Sequence, residues 1–116
     1  MSVDISIRNA IAKVGSLSSV EVVNDGRPRG TRRPIVFNNN GLYIKRSGAV
    51  ILGTCSSSLN ITVEGGNPNW DGAFVQEGSL PYYPATQINT LLNIINFIKR
   101  TYPGISINTN GILAGI

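Results

Sequence analysis

The chain has 116 residues, with ten Lys and Arg, six Asp and Glu, a single cysteine and no histidine, for a net charge of +4. That length suits one domain spanning 1–116, and 41% hydrophobic against 14% charged residues excludes a disordered polar chain. Lacking histidine, the chain has no ordinary base near neutral pH, no Ser-His or Cys-His pair and no imidazole metal ligand. One cysteine builds neither an internal disulfide nor a cysteine zinc cluster.

Taken in chain order, residues 3–14 place Val3, Ile7, Ala10, Ile11 and Val14 on one helical stripe, with Arg8 and Lys13 on the other side. Ser2 is positioned to cap this short helix and Gly15 to end it; the competing form is an extended arm, because Ile5 and Ile7 also alternate. The same N-terminal stretch carries Asp4 and Arg8, so it is not expected to serve as a secretory signal. Residues 19–24 alternate as a strand and run into Asp25-Gly26, a turn dipeptide. Residues 26–34 then place Arg27, Arg29, Arg32 and Arg33 among Pro28, Gly30 and Pro34, a density of breakers that predicts an irregular arm.

Residues 35–37 read as a short strand stopped by Asn38-Asn39-Asn40-Gly41. Residues 42–46 and 49–52 flank Ser47-Gly48 and predict a hairpin with a two-residue turn. Leu59, Ile61 and Val63 alternate with Asn60 and Thr62, which predicts a further strand that ends at Gly65-Gly66. Residues 65–84 form a long connection containing Asn67, Asn69, Trp70, Phe74, Tyr82 and Tyr83.

The strongest periodicity lies in residues 84–102. Pro84 suits a first helical turn, and Ile88, Leu91, Leu92, Ile95, Ile98 and Tyr102 share one face. Ile94 and Phe97 widen that stripe, Lys99 and Arg100 complement the helix dipole, and Pro103-Gly104 stops the helix. Ile105 and Ile107 alternate as a last strand, followed by an uncharged end that includes Ile112, Leu113 and Ile116. The expected fold is α+β: a small mixed sheet of short strands, one long C-terminal helix packed on it, and a short N-terminal helix. No apolar run reaches the roughly 20 residues of a membrane span.

The Arg cluster suits contact with carboxylates or phosphates, since guanidinium groups pair bidentately with both. No aromatic residue precedes Phe37 and no nucleic-acid-binding motif occurs, so a protein partner ranks above nucleic acid; a merely solvated loop stands close behind. No phosphate-binding glycine loop is present, and Cys55 reads as a packing residue.

NGLYIKRSGAVILG makes a strand-turn-strand, SSSLNITVEGG a strand ending in paired glycines, and YPATQINTLLNIINFIKRTYPGISI a helix leaving through Tyr-Pro into a strand. In this order the segments, about two-thirds of the chain, resemble the zinc-dependent N-acetylmuramoyl-L-alanine amidases of the small phage-lysozyme type. The resemblance implies zinc held by two histidines and a third His, Cys or Asp. Here Asn38 and Asn39 fall near the first ligand position and Asn108 and Asn110 near the second, and neutral amides do not hold zinc or activate its water. It therefore implies a shared scaffold with no metal, no cofactor and no catalytic residues.

The expected function is that of a non-enzymatic structural protein, a phage virion component such as a capsid decoration or tail-associated protein, assembled in the host cytoplasm. Its partners would be protein subunits, as a homo-oligomer or on a larger particle, contacted through Arg27, Arg29, Arg32, Arg33, Ile112, Leu113 and Ile116. The alternative is an inactive amidase-like module binding peptidoglycan or another glycan through Asn67, Asn69 and Trp70. A hydrolase using a carboxylate pair assembled by the fold is a third reading.

Overall fold

The structure is a computed structural model that describes residues 4–25, 35, 37–65 and 83–113. Helix α1 spans Ile5–Ala12 and buries Ile7 and Ile11. Its N-cap is Asp4 rather than Ser2: the Asp4 carboxylate accepts the Ser6 N–H at 2.8 Å, satisfying one of the helix's unpaired amides.

Five strands follow: β1 (Ser19–Asn24), β2 (Leu42–Ile44), β3 (Val50–Leu52), β4 (Ser58–Val63) and, after the long helix α2 (Ala85–Thr101), β5 (Ser106–Asn108). They form one sheet in the order β3-β2-β4-β1-β5. Only the β2–β3 pair is antiparallel; β1 runs parallel to both β4 and β5, and β2 runs parallel to β4. The α+β class, the mixed sheet and the long C-terminal helix agree with the sequence reading.

Two local expectations change. Ile35 and Phe37 lie in no strand; Phe37 instead packs its ring on Tyr43, centroids 5.6 Å apart. The hairpin loop has three residues, not two. Lys45 N–H donates to Ala49 O and Gly48 N–H to Lys45 O, leaving Arg46–Gly48 outside the ladder, with Gly48 at φ +91°. The turn is closed by a left-handed glycine, the geometry that lets a three-residue loop rejoin twisted strands.

Register explains the core. Val22, Ile61 and Leu42 stand side by side across three strands, and Ile44 and Val63 form a second row. All five are buried in one cluster with Val20, Leu59, the α1 residues Ile7 and Ile11, and Leu91, Ile94, Ile95 and Ile98 of α2. Both helices therefore cover the same face of the sheet. Each of these aliphatic side chains contributes about 1.5–3 kcal/mol on burial. Tyr43 is buried too but outside that cluster, on the opposite face with Phe37. Tyr102 Oη donates to Ile11 O at 2.8 Å, tying the end of α2 to α1.

Gly41 marks the tightest approach. Its φ is +81°, and a Cβ there would lie 2.0 Å from Asn60 O, so only glycine lets β2 enter the sheet at this level.

Candidate functional site

Strands β2, β4, β1 and β5 run parallel, so their carboxyl ends share one edge, the place where open sheets with parallel strands ordinarily bind ligands. The N-terminus of α2 meets this edge through Gln87.

Asp25, just past β1, joins three strand ends. Its own N–H donates to Val63 O at 3.1 Å; its Oδ2 accepts from Tyr43 Oη at 2.6 Å and its Oδ1 from Gly65 N–H at 3.1 Å. Gly65 lies against the Asn24 side-chain amide, and a Cβ there would come within 2.6 Å of Asn24 Oδ1 and displace it. Asn24 Nδ2 in turn donates to Tyr83 Oη at 2.7 Å, linking β1 to the approach of α2.

Gln87 was not singled out in the sequence, and it carries most of the second half of this edge. It is fully buried in the first turn of α2, and its Nε2 donates to Ile44 O and to Glu64 O, both at 2.9 Å. Two carbonyls facing one amide group fix which end carries the hydrogens. Oε1 is buried and has no hydrogen-bond partner among the described residues. A signal was available in the sequence: Gln87 sits four, seven and eleven positions before Leu91, Ile94 and Ile98, which makes it a polar residue on the buried stripe. Glu64 Oε1 accepts from Arg46 N–H at 2.9 Å, Thr86 Oγ1 donates to Arg46 O at 2.7 Å, and Asn110 Nδ2 donates to Val22 O at 2.8 Å.

These groups act as cross-links. Both nearby carboxylates, Asp25 and Glu64, accept from donors of the fold itself, and among the described residues no three His, Cys, Asp or Glu side chains gather to hold a metal. Cys55 is a free, half-buried thiol, and burial pushes its pKa up, away from the thiolate a nucleophile needs.

The asparagines at the ligand-like positions have backbone roles. Asn38 Oδ1 accepts Asn40 N–H at 3.1 Å and Asn108 Oδ1 accepts Asn110 N–H at 3.0 Å, while Asn39 and Asn110 take φ of +65° and +52°. Both segments are thus Asx turns, which suit asparagine for reasons unrelated to metal binding. Nor does the fold bring them together. One precedes β2 and the other follows β5, three strand steps apart, or roughly 14 Å at ~4.8 Å per step, and at opposite ends of their strands.

Arg27, Arg29, Arg32, Arg33, Asn67, Asn69, Trp70 and Ile116 lie outside the described residues. The residues from which two of those segments depart, Asp25 and Gly65, are hydrogen-bonded to each other. Ile112 is buried and Leu113 packs partly against the same core. Among the described residues no helix is long and apolar enough to cross a membrane.

Comparison with known proteins yields no match: no family model fits the chain, and neither curated proteins nor solved structures resemble it significantly. The amidase resemblance rests on the quoted residues alone.

Proposed function

We propose that this chain is a non-enzymatic interaction protein, built to sit in a larger protein assembly. The observation that carries the reading is the occupied carboxyl edge. Where a sheet of this kind ordinarily offers its ligand site, Asp25, Glu64, Gln87 and Asn110 are engaged with backbone amides, backbone carbonyls and Tyr43 of the same chain. A histidine-free sequence with one raised-pKa thiol supports the same conclusion. In its narrower form the proposal is a phage virion component, a capsid decoration or tail-associated protein, and that step leans on the likeness to a phage-lysozyme scaffold.

Assembled particles purified from the native source test the proposal. Quantitative mass spectrometry is expected to find the chain in fixed stoichiometry to the other subunits. Its absence from every particle fraction, with the protein recovered only as a free species, overturns the reading. Retention on purified peptidoglycan, lost in Trp70→Ala, would instead establish the glycan-binding alternative. Cleavage of that material, abolished by substituting one acidic residue, would establish a hydrolase.

A further inference from the structure

The hydrogen-bond phase of the β2–β3 hairpin fixes which backbone groups of β3 point outward. Lys45 N–H donates to Ala49 O and Gly53 N–H to Gly41 O, both at 2.8 Å. Bonded pairs alternate in an antiparallel ladder, so Tyr43/Ile51 is the bonded pair between them, while Leu42/Leu52 and Ile44/Val50 are not. Ile44 O accordingly turns to the other side and accepts from Glu64 N–H at 2.9 Å. The equivalent N–H and C=O groups of Val50 and Leu52 turn to the outer side of the sheet, where β3 is the last strand and no described residue meets them.

Those outward groups are symmetric about Ile51. A second β3 laid antiparallel, with a twofold axis through Ile51, would set Val50 opposite Leu52 and Leu52 opposite Val50, each as a bonded pair. The two Ile51 side chains would then face each other across the closely spaced, non-bonded position.

Side chains and charge favour the same partner. The exposed large apolar residues among those described are Ile5 (63%), Ile51 (36%) and Leu52 (38%). Leu52 lines a groove of about 390 Å³ with Val50, Ile7 and Ile94. No charged side chain occurs from Ser47 to Val63, so two copies of this basic chain approach here without opposing charges. The strand also lacks the lysine or proline that commonly guards an edge against pairing. The opposite edge, β5, is Ser-Ile-Asn and exposes no large apolar side chain.

We propose that the outer edge of β3 pairs antiparallel with the same edge of a second copy, forming a twofold dimer whose sheet runs through both subunits. This inference rests on the reading of the chain as an interaction protein and names the surface it uses.

Light scattering on the full chain over a concentration series, low micromolar to millimolar, is expected to show apparent mass rising toward twice the monomer value. Ile51→Lys and Ile51→Glu each place like charges opposite one another and are expected to weaken self-association roughly tenfold or more, with circular dichroism unchanged. Mixing the two variants is expected to restore a dimer, which loss of folding would not allow. A wild type that stays monomeric throughout, or a dimer that survives both variants, overturns the proposal. A photo-crosslinker at position 51 that links only to a different protein in native particles also overturns it, and leaves the assembly reading standing. Absence of the chain from particles removes the assembly reading while a solution dimer persists.

Discussion

The carboxyl ends of the parallel strands and the outer side of β3 are both margins of the same sheet, yet they treat their polar groups in opposite ways. At the carboxyl ends, side chains reach across to finish what the ladder leaves open: Asp25 closes on Gly65 and Tyr43, Gln87 on Ile44 and Glu64, Asn110 on Val22. Along β3 no side chain among the described residues does this, and the backbone of Val50 and Leu52 faces outward with apolar neighbours. The first margin is sealed by the chain itself and confers stability. The second is left for another strand.

Substitutions separate the two margins by their cost to folding. Gln87→Leu keeps the volume but strips Glu64 O of its donor and Ile44 O of one of its two, and is expected to lower stability by about 1–3 kcal/mol, the cost of one unsatisfied group. Urea titration should show an earlier midpoint at unchanged slope. A loss below about 0.5 kcal/mol would mean that the carboxyl edge is not a structural clasp. Asp25→Ala removes the acceptor for Tyr43 Oη and Gly65 N–H, both part-buried, and is expected to cost about 1–2 kcal/mol in the same titration. Ile51→Lys, measured on dilute monomer, is expected to move stability by no more than about 0.5 kcal/mol, as surface substitutions do. A large loss there would show that β3 is needed by the fold rather than left open to a partner.

Much of this architecture is legible in the sequence. The alternation of residues 19–24 gives β1 at its observed bounds, and the periodicity of residues 84–102 gives α2 to within one residue at each end. Helical phase was less well read. Ile94, beside the expected stripe, is fully buried, while Leu92, on it, is half-buried. The buried stripe runs through Gln87, Leu91, Ile94 and Ile98, with Ile88 and Ile95 beside it. Periodicity records where water is absent; it does not record which carbonyls are waiting there for a donor.

The site was less legible than the fold. The cross-linking role of Asp25 is not legible in the sequence, because its partners lie 18 and 40 residues away and no local pattern marks them. The asparagine runs attracted a ligand comparison, whereas their spacing of two is what an Asx turn requires.

Strand order has a consequence for synthesis. β1 leaves the ribosome before both of its neighbours in the sheet, β4 and β5, and β5 ends at Asn108. One side of β1 therefore waits for residue 63 and the other for residue 108, and until β5 has emerged that second side remains bare. A nascent chain of this design depends on delay, and any factor that shields its first strand during translation would raise the yield of native protein.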